Sequence, residues 1–231
     1  MNGIFQIEIP ISQTGFWRIL FATSGGLGIY LSIIQFMRDK FRRKRRTLLG
    51  LLLLSLAVPL IYISNGDLLQ GWSNEILRLT AIFLLFLLGP SSHGLYKSGL
   101  NRDHRGFGLI HLLTGTVILV GLVAGLLIDQ TVFLLAAIHA GLYLLFQLHM
   151  LFLKNRNASN PVLHGYIHWG CWFSRFVMIQ LLLFICIVAS SFWMEGPSLH
   201  FFICVCLTIL IMVIWVRLIY TAYLSYIIST S

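Results

Sequence analysis

The 231-residue chain is 58% apolar, only 10% charged, and has a formal net charge of +9. Soluble domains run at about 45–50% apolar and about 25% charged, so this composition excludes an ordinary soluble domain and points to a polytopic membrane protein. Its cations sit in short segments between apolar runs of about 20 residues, the length that crosses a hydrocarbon core of about 30 Å as a helix. The positive charge therefore reads as a topology signal, and no direct nucleic-acid binding is expected.

The amino terminus, MNGIFQIEIPISQTG, has neither a positive leader nor a small-residue cleavage site, so no removable signal peptide is expected. The first span is predicted over residues 15–36, with Trp17 as an interfacial anchor. Its interior Ser24-Gly25-Gly26-Leu27-Gly28 is suited to close helix approach. Residues 37–46, MRDKFRRKRR, follow as a dense run of Arg and Lys, which places this loop in the cytoplasm.

The second span is predicted over residues 47–64, with a kink at Pro59. The connector NGDLLQGWSNE is acidic and polar, as an outer loop should be. The third span, residues 76–96, contains Gly89-Pro90, where the missing amide hydrogen is expected to break or bend the helix. A basic turn with Lys97, Arg102 and Arg105 comes next, and the fourth span is predicted over residues 108–128. Asp129-Gln130 then forms a tight outer hairpin into the fifth span, residues 131–153, which ends at Lys154 and Arg156. The sixth and seventh spans are predicted over residues 168–193 and 201–226.

All but four of the 16 cations thus fall in three inner loops; the exceptions are Arg18, Arg78, Arg175 and Arg217. The expectation is a single all-α domain over residues 1–231 with seven transmembrane helices, the amino terminus outside and the carboxyl terminus cytoplasmic.

The seven acidic residues, Glu8, Asp39, Asp67, Glu75, Asp103, Asp129 and Glu195, all lie in predicted loops or at helix ends. With no carboxylate at mid-membrane, the usual pathway groups of proton pumps and cation transporters are missing. A lysine for a retinal Schiff base is missing from the seventh span, as are a serine-hydrolase elbow and a phosphate-binding glycine loop. Cys171, Cys186, Cys204 and Cys206 lie in apolar runs and read as small hydrophobic residues, not as a disulfide or zinc framework.

Two cations and several histidines remain as candidates for chemistry. Arg175 and Arg217 are predicted at similar depth in the inner part of the bilayer, and Trp215, Val216, Leu218 and Ile219 flank Arg217. They either snorkel to lipid headgroups, or form an anionic ligand site, or latch onto a loop carboxylate such as Asp103. His139 is predicted at mid-span, where a histidine either bonds a neighbouring helix or binds a ligand. His111 and His149 fall toward the inner ends of their helices, and His93, His164 and His168 toward the same face. The i, i+4 spacing of His164 and His168 can hold a divalent metal, although interfacial histidines bonded to backbone or water look the same in sequence. Haem held by His139 and a second histidine is the remaining cofactor alternative; no cofactor is otherwise expected. Phe83, Phe86, Trp169, Trp172 and Phe173 are expected to face lipid or mark the interfacial belts, with a lipophilic pocket as the alternative.

Five segments together resemble the amino-terminal membrane sensor domain of bacterial membrane-bound AraC-type regulators. They are FRRKRRTLLGLLLL, FLLGP followed by Tyr96-Lys97, the restart IHLL, LHMLFLKNRN, and the Trp- and Arg-rich sixth span. The similarity extends over most of residues 20–190. It implies a receptor-like seven-helix module of the bacterial cytoplasmic membrane that passes a signal to a cytoplasmic effector. This sequence reaches Ser231 without the helix-turn-helix domain of that pattern, and has Ser91-Ser92-His93 where the pattern is apolar. The expectation is then a separate cytoplasmic effector or partner membrane protein, or an isolated module, or a resemblance of fold alone.

The leading expectation is a non-enzymatic sensor for a small lipophilic or anionic ligand, with Arg217, Arg175, His139 and His111 as ligand-binding candidates. The alternatives are a membrane enzyme using a metal or haem through His164, His168, His93 and His149, or a scaffold subunit of a membrane complex.

Overall fold

The computed structural model describes residues 11–37, 43–65, 71–99, 109–123, 129–156, 164–194 and 197–230. Among them are seven helices and no strand: α1 (Ile11–Met37), α2 (Arg43–Asn65), α3 (Trp72–Gly99), α4 (Leu109–Val123), α5 (Asp129–Arg156), α6 (His164–Ser191) and α7 (Pro197–Thr230). Helices are what such apolar runs must form in lipid, because an α-helix satisfies its backbone polar groups within one segment. α1, α2, α3 and α7 are long and apolar enough to cross a membrane. α4 and α6 contain shorter apolar stretches, Leu113–Val123 and Arg175–Ser191.

The glycines of α1 set the first contact. A Cβ on Gly28 would stand 2.8 Å from the Ala57 Cβ, and one on Gly25 would stand 2.5 Å from Ile61 Cγ1 and 3.2 Å from the Ala57 carbonyl oxygen. No larger residue fits at either position while the α1 and α2 backbones lie this close. Gly26, one residue from Gly25, meets nothing within 4 Å and is exposed. A buried hydrogen bond, donated by Ser32 Oγ to the Gly50 carbonyl at 2.9 Å, fixes the register of the pair.

α2 is buried on almost every side. Leu52, Leu53, Leu56, Ala57 and Leu60 are fully buried, and the helix packs against α1, α3 and α7. An apolar helix without a polar face belongs at the centre of a bundle. α7 closes this half of the molecule: Phe201 meets Trp17 and Phe21 at ring separations of 5.2 and 5.6 Å, and Ile211 reaches Gly28.

Cross-helix pairings give the relative directions of helices in contact. Contacts at Gly25–Ile61 and Ser32–Gly50 make α1 and α2 antiparallel, while Trp17–Phe201 and Gly28–Ile211 make α1 and α7 parallel. Phe86–His139, Gly89–Tyr143 and His93–Phe146 make α3 and α5 parallel. Gly141–Phe184 and the shared approach of Gln147 and Gln180 to Ser92 make α5 and α6 antiparallel.

Neither proline ends its helix. α3 runs unbroken through Pro90 and α2 through Pro59. Pro90 withholds the donor that the Phe86 carbonyl would take, yet packing against α5 keeps α3 helical, and Ser91 Oγ donates to the Leu88 carbonyl at 3.1 Å. The basic run is likewise divided: Arg43, Lys44, Arg45 and Arg46 already belong to the first turn of α2. Phe86 is fully buried and so does not face lipid as expected, whereas Trp172 is partly exposed; the side chains of Trp169 and Phe173 lie outside the described residues. The outward faces are apolar too, with Ile19, Tyr30, Val117, Leu142, Leu182 and Val216 among the exposed side chains.

The close α1–α2 contact makes a paired test. Gly28→Leu is expected to destabilise the protein by about 1–3 kcal/mol through overpacking, and Gly26→Leu to change stability by no more than about 0.5 kcal/mol. Thermal unfolding of both variants in lipid nanodiscs measures the difference.

Candidate functional site, a buried polar junction of three helices

The turn of α3 after Pro90 is polar and fully enclosed, with Ser91, Ser92, His93 and Tyr96 all buried. Ser92 Oγ lies 3.0 Å from Gln180 Oε1 on α6 and 3.3 Å from Gln147 Oε1 on α5. Exposures of 1% for Ser92, 0% for Gln147 and 5% for Gln180 put the three groups beyond the reach of bulk solvent. α5 and α6 reach this point because Gly89 lets the Tyr143 ring lie against α3, where a Cβ would stand 2.9 Å from Cδ2. Gly141 similarly accepts the Phe184 ring of α6.

A serine hydroxyl has one proton, so Ser92 donates to one of the two carbonyl oxygens at a time. The shorter contact favours Gln180. Gln147 Nε2 is then buried with no hydrogen-bond partner. Turning the Gln147 amide through half a rotation brings its NH2 toward Ser92 Oγ, giving a continuous chain from Gln147 through Ser92 to Gln180. The same three side chains therefore support two hydrogen-bonding arrangements.

The chemistry available here is recognition. Serine and glutamine stay neutral at physiological pH, and an amide carbonyl cannot take a proton from Ser92, so the hydroxyl is not an activated nucleophile.

Beside the junction runs a ladder of rings shared by α3 and α5. Tyr143 lies 5.0 Å from the His139 ring and 5.7 Å from His93; His93 also meets Phe146 at 5.2 Å, and His139 meets Phe86 at 5.6 Å. Tyr143 thus separates the two imidazoles. Among the described residues no group of three or more His, Cys, Asp or Glu side chains is placed to hold a metal. His149 is exposed. His111 falls in α4 and His164 and His168 in α6, and their side chains lie outside the described residues.

The arginine candidates occupy a different place. The Arg217 guanidinium sits over Trp172 of α6 at 5.5 Å and over Tyr220 at 5.8 Å, while Arg175 is exposed. Among the described residues α5 and α7 do not pack against each other. His139 lies on the α3–α5 face and Arg217 on the α6–α7 face, with Arg175 exposed on α6. An open apolar groove of about 360 Å³, lined by Phe184, Ile185, Val188, Ala189, Phe192 and Trp193, lies toward the other end of α6 and adds no polar group to either.

Sequence reasoning missed Gln147 and Gln180. The signal was present: each is a lone amide within an apolar stretch, LLFQLHM and VMIQLLL, and a polar group at membrane depth needs a partner.

No family model, curated protein or solved structure matches this chain. Function is accordingly argued from the junction.

Ser92→Ala leaves both glutamine amides without their shared hydroxyl and is expected to cost about 1–2 kcal/mol. Gln147→Leu removes the amide whose NH2 has no partner and is expected to be neutral or slightly stabilising. Denaturant titrations of the two variants distinguish a strained junction from a fully satisfied one, in which both would destabilise.

Proposed function

We propose that this chain is a seven-helix module of a bacterial cytoplasmic membrane that binds a small lipophilic or anionic ligand among its helices and passes the signal to a cytoplasmic effector, without catalysing a reaction. The observation that carries this reading is the Ser92–Gln147–Gln180 junction. It is neutral, enclosed, and joins three helices through groups with one hydrogen bond to spare. A ligand that supplies an acceptor to Gln147, or competes for the Ser92 proton, stabilises one arrangement over the other, and the difference is felt by α3, α5 and α6 together. The resemblance to membrane sensor domains supports the same role.

The proposed topology has seven crossings with the amino terminus outside, and it is supported by the distribution of cations in the sequence. The segments 37–46, 97–105 and 154–156 are rich in Arg and Lys, and the positive-inside rule assigns them to the cytoplasm. In a cysteine-free background, Trp193→Cys is expected to react with a membrane-impermeant maleimide on intact cells, and Lys44→Cys only after permeabilisation. The reverse pattern would invert the topology.

The ligand test uses the full chain in nanodiscs. Fractions of a lipophilic membrane extract and a set of anionic metabolites are screened by thermal unfolding. At least one class is expected to raise the melting temperature of the wild type and to have no effect on Gln147→Leu, which keeps the fold. No stabilisation by either class, or equal stabilisation of both proteins, overturns the junction as the receiving site.

A further inference from the structure

Arg217 lies 20 residues beyond the start of α7 at Pro197, or about 30 Å along the axis at 1.5 Å per residue. The apolar span continues to Tyr223, about 9 Å further at 1.5 Å per residue, a depth from which the long arginine side chain reaches the headgroup phosphates. Arg217 is half-buried, and its Nε is out of contact with solvent and has no hydrogen-bond partner.

The guanidinium is held by rings. Trp172 stacks on Phe176 at 5.3 Å with 11° between the planes, and Phe176 is fully buried in the core. The ring beneath Arg217 is therefore anchored to the bundle, and Tyr220, one turn further along α7, flanks the guanidinium. Arg175 is exposed one turn along α6 from Trp172. Among the described residues the ion pair of Glu75 with Arg78 is at the opposite end of the bundle, near the start of α3, so this carboxylate does not reach the two arginines.

An arginine fork at a membrane surface with an unused Nε is a donor set for a phosphate, which accepts two parallel hydrogen bonds from one guanidinium. We propose that Arg217 and Arg175 form a phosphate site on the α6–α7 face, occupied by the headgroup of an anionic phospholipid, with Trp172 and Tyr220 as positioning residues for the Arg217 fork. This deepens the receptor reading by naming the chemistry of an anionic ligand, and rests on it only for placing this end of the bundle at a membrane surface. The Trp172 platform separates the site from simple snorkelling: a snorkelling cation needs only charge and length, whereas this site needs a planar fork.

The experiment is native mass spectrometry of the full-length protein in detergent, titrated with phosphatidylglycerol, with phosphatidylcholine, and with phosphatidylglycerol plus inorganic phosphate. The wild type is expected to retain one phosphatidylglycerol saturably, with phosphatidylcholine about tenfold weaker or more. Arg217→Lys, which keeps the charge and lacks the fork, is expected to weaken retention about tenfold, and Arg175→Ala to weaken it by a smaller factor. Both variants are expected to melt like the wild type in detergent without lipid, which separates loss of the site from loss of the fold. Equal retention by Arg217→Lys and the wild type overturns the site in favour of snorkelling. Equal retention of phosphatidylcholine reduces it to annular lipid. Displacement of the lipid by millimolar inorganic phosphate overturns lipid as the source. None of these readings depends on ligand binding at the Ser92 junction, so the lipid site and the receptor role can fail separately.

Discussion

Helices surrounded by lipid gain little by hiding apolar side chains from it, because the tails are as apolar as leucine. Their association therefore depends on how closely the backbones approach. In this protein the closest approach is made where Gly25 and Gly28 of α1 meet Ala57 and Ile61 of α2. It draws α2 inward until almost no face remains exposed, and α3 and α7 pack against what is left. The buried bond from Ser32 to the Gly50 carbonyl is possible only at that spacing. The polar junction is one layer further out, supported by α3 with α2 at its back.

The second half of the bundle uses the same device for a different purpose. Gly89 and Gly141 open space for rings, Tyr143 against α3 and Phe184 against α5, and so bring α5 and α6 to the enclosed Ser92. Neutral amides and a hydroxyl at this depth cost less to bury than charges. Their incomplete pairing still leaves free energy that a ligand or a helix movement can recover. The Arg217 cradle meets a stronger version of the problem at the membrane edge, where a cation rests on anchored rings with one donor unused.

Much of the helical framework was legible in the residues. Apolar run lengths placed all seven helices to within a few residues at most ends, and the small-residue cluster marked the first span for close helix approach, although only the structure names α2 as the partner and separates Gly25 and Gly28, which face it, from Gly26, which does not. The prolines end neither helix, because a missing donor is a local penalty that tertiary packing outweighs. The site was less legible. Histidines and arginines attract notice as ionisable groups, whereas Gln147 and Gln180 matter only through a partner 88 positions away from Gln180 in the chain, a relation that no local pattern encodes. Residue type likewise says nothing about which helices touch, so the placement of His139 and Arg217 on different helix pairs comes from the structure alone.

That sequence separation also sets a timetable for synthesis. Translation at about 5–20 residues per second puts roughly 4–18 s between the emergence of Ser92 and that of Gln180. Throughout that interval α3 is already long and apolar enough to enter the membrane, with its serine turn still lacking the glutamine from α6. α4 enters meanwhile, packing chiefly on α3 and leaving Leu113, Val117, Val120 and Val123 exposed. The nascent protein must therefore shelter an unfinished polar surface in or beside the insertion machinery until α6 arrives, and only then does α7 close the α1–α2 side of the bundle.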